Sequence, residues 1–427
     1  MRMRLDSLAF AVVGLILLAV TRPASAQVKP GDRITPANVA LIKNLVSPGV
    51  YIAASKGMEI NVIAPQRIDW PPPYQEATEK YSAQVRLSPD RRSLVGYAAG
   101  QPFPLLDLND PDIATKIMWN SSFRPITTDD TDLRFFECQV EYTRLGGPQH
   151  ILDYSETGHL AGYSNIGRTE VEPLPIDPDL QHSGVWSREA AYPVISPAED
   201  RGGGGLRLRY WDPTRGDDTW SYMPGSRRLR RVNEAILSSA TGLSTWDPDH
   251  VGGFAAKPQE YNFKFLGVRE MLGCAHALHS PERPCPSDGG ASTCPEDWEL
   301  RRLYLVEATP RPELSLGALQ SKTIAYVDSE MWFNPYVDSY DRRGDLWKTQ
   351  IYWLTYRDRP VPDARVAIYP FKRSFVVSAS SIDVQTGLST ACYLPGRDTP
   401  ERECWYINMG AVDRQFFTTD AMVRAGH

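Results

Sequence analysis

The sequence predicts a mainly β protein with a few helices, built on one large antiparallel meander. Three observations carry that expectation. Apolar and polar residues alternate with a period of two in run after run through the second half of the chain. Consecutive runs are separated by short turns, and only antiparallel neighbours can be joined so tightly. Thirty-five Pro, 31 Gly and 44 aromatics (11 Trp, 20 Tyr, 13 Phe) suit strands and turns better than a helical bundle.

The chain opens on Arg2 and Arg4, followed by an apolar run from Leu8 to Val20 broken only by Gly14. Small residues Ala24, Ser25 and Ala26 precede Gln27. A charged end, a short apolar helix and small residues for the peptidase make up a secretory signal peptide. The run is about 13 residues, short of the ~20 that cross a bilayer core. Cleavage after Ala26 and release into the periplasm are therefore expected, rather than a retained anchor. Removing residues 1–26 takes away three Arg and one Asp, so the net charge moves from −6 to −8. That mild acidity argues against a nucleic-acid partner, which needs dense Lys and Arg. Residues 27–427 are expected to form a single large domain. Its part 27–200 holds helix and strands, and 201–427 holds the meander with disulfide-bearing loops.

In order along the chain, Thr35 before Pro36 caps a short helix carrying Val39, Ile42, Leu45 and Val46, which Pro48-Gly49 stops. Ile60 to Ile63 reads as a strand, Pro71-Pro72-Pro73 as a stiff loop and Tyr81 to Leu87 as a strand. Gln101 to Pro111 is irregular, and a helix is expected around Asp112 to Trp119. Arg201 to Gly205, with four consecutive Gly, reads as a flexible loop. Leu206 to Trp211 alternates as a strand, Asp212 to Asp218 turns, and Thr219 to Met223 returns. Pro224-Gly225 turns again into a strand from Arg227 to Val232. The rhythm continues in Gln259 to Leu266, Leu300 to Glu307, Lys322 to Val327, Met331 to Tyr340 and Leu346 to Arg357. Turns fall at Asp328-Ser329-Glu330 and Asp341 to Gly344.

Six Cys in an exported chain read first as disulfides. Cys392 and Cys404 bracket a polar loop suited to a stapled hairpin. One pair is expected among Cys274, Cys285 and Cys294, and Cys138, in an apparent strand, is available to the remaining partner. Cys274, His276, His279, Cys285 and Cys294 also lie close in sequence, but their spacing fits no zinc ribbon or finger. No metal is expected.

Several strands are bulky on both faces, which suits a curved sheet with helices on one side and covering segments on the other. A ligand-lining set is drawn from Trp220, Tyr222, Tyr261, Phe263, Phe265, Phe333, Val337, Trp347, Ile351 and Trp353. Ordinary core packing is the competing reading for each. Arg227, Arg228, Arg230 and Arg231 form the densest positive cluster. It is either a solvated edge or a contact, through Arg228 and Arg230, for lipid phosphates or an acidic partner. Arg342 and Arg343, beside Asp341 and Asp345, read as structural. No nucleophile elbow, zinc-protease helix or phosphate-cradling loop is present. The seven His are scattered, which leaves only a triad assembled in space, so neither catalytic residues nor a cofactor is expected.

The stretches YSAQVRLSPDRRSLVGYAAGQPFP, DPDIATKIMWN, DTWSYMPGSRRLRRV, KPQEYNFKFLGVREM, RRLYLVEATP and AYVDSEMWFNPYVDSYDRRGDLWKTQ come in order, in a match over roughly residues 30 to 360. They resemble domain-of-unknown-function family 1329 (DUF 1329), which is similar in fold to the periplasmic lipoprotein carrier and outer-membrane lipoprotein receptor (LolA/LolB-like) group. The resemblance implies an incomplete antiparallel β-barrel whose concave face is covered by helices and holds acyl chains. It implies a periplasmic carrier for lipid or another hydrophobic molecule, not an enzyme. Peripheral membrane contact and association with a resistance-nodulation-division type exporter and an outer-membrane protein are part of that implication. The alternative is a non-catalytic envelope assembly factor with a filled core. This chain is longer than a simple carrier, so an added N-terminal segment would occupy or cap the cavity.

Overall fold

The computed structural model describes residues 28–143, 150–232, 245–246, 248–277, 296–312, 319–360, 367–394 and 405–426. The expected signal peptide lies outside them, as do His279, Cys285, Cys294 and Cys404. Strand β1 (Arg33–Ile34) leads to helix α1 (Pro48–Ser55) and β2 (Ile60–Val62). Helix α2 (Pro72–Tyr81), the small hairpin β3 (Arg86–Leu87) and β4 (Leu94–Val95), and α3 (Ile113–Ser122) come next. The long pair β5 (Asp130–Thr143) and β6 (His150–Ser164) precedes α4 (Asp179–Ser183) and β7 (Val185–Ala191). Then come β8 (Gly204–Tyr210), β9 (Asp218–Met223), β10 (Arg228–Arg231), β11 (Tyr261–Gly273), β12 (Glu296–Pro310) and β13 (Gln320–Asp328). The chain ends with β14 (Tyr336–Asp341), β15 (Leu346–Arg357), β16 (Arg373–Asp383), β17 (Leu388–Tyr393), β18 (Trp405–Ile407) and α5 (Thr419–Ala425).

All strands except β3 and β4 join one 16-stranded sheet. Its main path runs β11-β12-β13-β14-β15-β16-β17-β5-β6-β7-β8-β9-β10, antiparallel throughout, and among the described residues no pairing closes β10 onto β11. β2 continues the sheet beside the start of β12, in parallel, and β18 pairs with β5 beyond β17. The mainly β, open antiparallel architecture is the expected one. Its order is not a simple meander, because β17 pairs with β5 and so sets the early strands in mid-sheet.

Four local expectations are corrected. No helix covers 36–46; there is one short turn at Val39–Ile42, and α1 starts at Pro48. Proline at a first helical position initiates as readily as it stops, and Ser47 caps α1 by accepting from the Val50 amide at 3.2 Å. For the same reason Pro71-Pro72-Pro73 opens α2 instead of forming a loop. Tyr81 ends that helix, so only Arg86–Leu87 of the expected strand pairs. The four-glycine run is not a flexible loop either. It enters β8, and a Cβ on Gly202 would lie 2.6 Å from Gly426 Cα, one on Gly204 2.6 Å from Tyr192 Cβ. Gly204 also has φ +143°, which only glycine adopts readily.

Paired residues share a face of a sheet, so the register defines two surfaces. One carries Phe265, Val306, Ala325, Val337, Gln350, Ser381, Thr390 and Val140 in a row across eight strands. The other carries Leu305, Tyr326, Tyr336, Ile351 and Ser380. Helix α1 packs on the second surface so closely that a Cβ on Gly49 would sit 2.5 Å from Asp338 Oδ1. Asp338 is fully buried there and accepts from the Gly49 amide (3.1 Å), Ser47 (3.1 Å) and Thr349 (2.8 Å).

Burial pushes Asp338 from 3.8 up to about 6, against those three hydrogen bonds. The folded state therefore holds this proton more tightly than the unfolded chain. The contribution to stability is full below pH 3.8, falls as pH rises towards about 6, and is flat above. Urea unfolding of Asp338→Asn beside the native chain is expected to lose this slope, on the order of 2–3 kcal/mol between pH 4 and 7. Identical pH profiles would contradict the assignment.

Candidate functional site

The surface carrying Phe265, Val306 and Gln350 is concave. Adjacent residues Asp249 and His250 touch walls that a flat sheet would hold far apart. Asp249 bonds Arg207 of β8 at 3.1 Å, while the His250 carbonyl accepts from Tyr352 of β15. Six strand spacings separate β8 from β15, roughly 29 Å in a flat sheet. The sheet curls round this segment. Residues 245–246 and 248–260 thus form a strap through the hollow. Thr245 Oγ1 donates to the Ser381 carbonyl (2.7 Å), Phe254 N donates to Asn334 Oδ1 (3.0 Å), and the Phe254 ring meets Tyr261 edge-on at 5.0 Å.

Helix α3 lies beside the strap over β11 and β12. Its Ile113 and Ile117 join Phe254, Tyr261, Tyr304, Val306, Val327 and Trp332 in one buried cluster. Its other end packs Trp119 and Phe123 among Trp186 and Trp211 from the β7–β8 wall. At the free edge by β11 the apolar surface reaches solvent. Trp70, Leu106, Phe263, Phe265 and Val268 are only partly buried against the cluster, and Leu105 in the loop before α3 is 92% exposed.

The strap is tied to β7–β9 by buried charges. Lys257 Nζ lies 2.8 Å from Asp217 and 3.1 Å from Glu260, and Arg209 Nε lies 3.0 Å from Asp217. Arg207 bridges Glu189 and Asp249. Burial raises Glu260 to about 7, partly opposed by Lys257. Asp217, in the expected Asp212 to Asp218 turn, is thus a buried tie, and its neighbour Asp218 bonds Tyr210 and Arg231.

The ten candidate lining residues do not form one surface. Tyr261, Phe263, Phe265, Phe333 and Val337 face the hollow. Ile351 and Trp353 point to the opposite surface, in the cluster that α1 covers, and are 0% and 1% exposed. Tyr222 and Trp220 lie beneath α5 with Phe417 and Met422, and Trp347 is half-buried with its indole donating to Asp383 at 3.0 Å. Because both faces of these strands are apolar, alternation alone could not sort them.

Arg228 and Arg230 are exposed on β10, an edge strand, where charge discourages further pairing. Arg343 pairs with Asp341 (3.2 Å) and Asp345 (3.6 Å), as expected of a structural turn. Cys392 is bonded to Cys138, not to Cys404. The strand after the Cys392 loop, β18, pairs with β5 rather than returning along β17, so the partner comes from β5. Cys274 is a buried free thiol, and no group of metal-ligating side chains occurs among the described residues.

The sequence reading missed Arg124, Asn334 and the strap, which join the hollow only through long-range contacts that no local pattern announces.

Comparison with known proteins places this geometry in context. The family model described as "Protein of unknown function (DUF1329)" matches residues 33–423. The uncharacterized protein PA3922 of Pseudomonas aeruginosa is 28% identical over 350 residues, covering 78% of this chain and 68% of that one. Among solved structures, a domain from Vibrio parahaemolyticus, provisionally named for outer membrane lipoprotein sorting, aligns with TM-score 0.48 and 15% identity. It covers 72% of this chain and 97% of that one. A DUF1329 family protein from Desulfovibrio piger aligns with TM-score 0.42 and 14% identity, covering 69% and 92%. The LolA superfamily protein NE2245 from Nitrosomonas europaea aligns with TM-score 0.39 and 15% identity, covering 72% and 98%.

Proposed function

The chain belongs to the DUF1329 family, and on that premise we propose that it is a periplasmic binding or carrier protein for lipid or another hydrophobic molecule. The observation that carries this reading is the apolar lip at the free edge of β11, which leads from solvent into a concave face covered by α3 and the strap. Half-exposed aromatics at such an edge cost solubility unless something apolar uses them. The hollow is filled by the chain's own α3 and strap, so cargo enters as these elements move aside. Each buried methylene contributes about 0.8 kcal/mol towards that displacement.

Export by the residue 1–26 leader, a disulfide among Cys285, Cys294 and Cys404, and contact of Arg228 and Arg230 with lipid phosphates or an acidic partner belong to this reading. So do an inner-membrane exporter and an outer-membrane partner. No helix among the described residues is long and apolar enough to cross a membrane.

The complete burial of Val337, Ile351 and Trp353 favours a second reading, a non-catalytic assembly factor with a filled core. Uptake of a fluorescent long-chain fatty acid separates the two. The double substitution Phe263→Asp and Phe265→Asp, at half-exposed positions, is expected to weaken uptake about tenfold or more while leaving thermal unfolding nearly unchanged. Native-like uptake by a folded double variant would remove the lip from the account.

A further inference from the structure

Resting on the carrier reading, we propose that Arg124, with Asn334 and Ser121, receives the anionic head of the cargo while its chain lies under α3. Arg124 comes just after α3 and is half-buried. Its Nη1 donates to the Ser121 carbonyl at 3.1 Å and its Nη2 to the Gly252 carbonyl at 2.9 Å, so it fastens α3 to the strap. The guanidinium lies over the Phe333 ring, 4.8 Å from its centre.

What sets this arginine apart is a missing counter-charge combined with a guanidinium nitrogen that no acceptor meets. Among the described residues no carboxylate lies within ion-pair distance, and the buried Nε has no acceptor. Glu189, whose field reaches it, is already held by Arg207 and Arg209. Other buried arginines are compensated. Arg301 and Arg209 pair with carboxylates, and Arg168, without a salt bridge, has each of its nitrogens bonded to a carbonyl. The C-terminal dipole of α3 offsets only about half a charge. Burial draws the Arg124 guanidinium down to about 10, the direction expected of a cation short of partners.

Two further donors adjoin it. Gly252 and Gly253, at φ +79° and +92°, carry the strap between Arg124 and Asn334. A Cβ on the first would lie 3.4 Å from Arg124 Nη2 and on the second 2.9 Å from Asn334 Oδ1. Asn334 is fully buried and spends Oδ1 on the Phe254 amide, which leaves Nδ2 without an acceptor. The Ser121 hydroxyl, also buried, has no partner. Buried donors without acceptors are rare in folded proteins. These three, beside Phe333 and the apolar cluster of Met331, Tyr352 and Leu354, fit acceptor oxygens on an apolar tail. The class is an amphiphile with a carboxylate or phosphate head.

The test uses the mature full-length protein with a fluorescent polyene fatty acid and its methyl ester. The acid is expected to bind about tenfold or more tightly than the ester, and Arg124→Gln to bring the two within about twofold. Unchanged ester affinity in the variant shows that it remains folded, and Arg124→Lys, which keeps the charge without the fork, is expected to fall between. Displacement of the acid by oleate or by lysophosphatidate then distinguishes the two head groups. If Arg124→Gln keeps the native preference for the acid, the head-group assignment falls and the carrier reading stands. If the native protein binds neither probe, both fall.

Discussion

Replacing Arg301 with leucine is expected to destabilise the protein by about 3–5 kcal/mol, the cost typical of breaking a buried ion pair from one side. Arg301 stands on β12 at 5% exposure. It meets Asp328 through Nε at 2.7 Å and Nη2 at 3.2 Å, Glu299 at 3.2 Å, Glu330 at 2.8 Å and the Gln66 carbonyl at 2.8 Å. Burial works against its charge, but Asp328, Glu330 and Glu299 more than offset it and push the guanidinium further up. The same carboxylates hold the strand-free stretch after β2, because Glu299 accepts from the Gln66 amide (2.8 Å) and Glu330 from that of Ile68 (3.0 Å). Leucine would strand Glu299 and Asp328, both fully buried, leaving the His276 ring beside Glu299 at 2.9 Å. Denaturant unfolding measures the loss. Adding Asp328→Asn to Arg301→Leu should cost less than the sum of the two single changes. Strict additivity would show that the pair is not coupled.

Trp353→Ala is expected to cost about 3–5 kcal/mol as well, by opening a cavity under α1. Trp353 is 1% exposed, in the cluster that holds Val50, Ala54, Tyr336, Ile351 and Phe375. The effect should be confined to stability. Because this ring points away from the hollow, fatty-acid affinity measured on the folded fraction at low temperature should be unchanged. A variant of native stability with weakened uptake would instead place Trp353 on the cargo surface, as its sequence context alone suggests.

Much of the sheet was legible because strand and turn signals are local. β15 spans Leu346–Arg357, the limits that alternation alone indicates, and α3 covers Ile113–Ser122 where a helix is expected around Asp112 to Trp119. Prolines misled because the same residue stops one helix and starts the next. Pro48 and Pro72 each begin a helix that a reading of proline as a breaker excludes. Glycines misled where packing, not mobility, requires them, as at Gly202 and Gly204.

Strand order was not legible, since the pairing of β17 with β5 joins residues about 250 positions apart in sequence. The Cys138–Cys392 bond depends on that pairing and could not be reached from loop spacing. The same holds for the hollow. Phe263 and Phe265 were identified from their own strand, whereas Arg124, Asn334 and the strap meet there only because the sheet curls.

The central claim is that the curled sheet shelters an apolar cargo beneath α3. Native mass measurement of the full chain purified from periplasm, before and after organic extraction, tests it most directly. The account predicts a bound mass that extraction removes and that an added long-chain fatty acid restores. A single apo mass throughout, with no uptake of added acid, would contradict it.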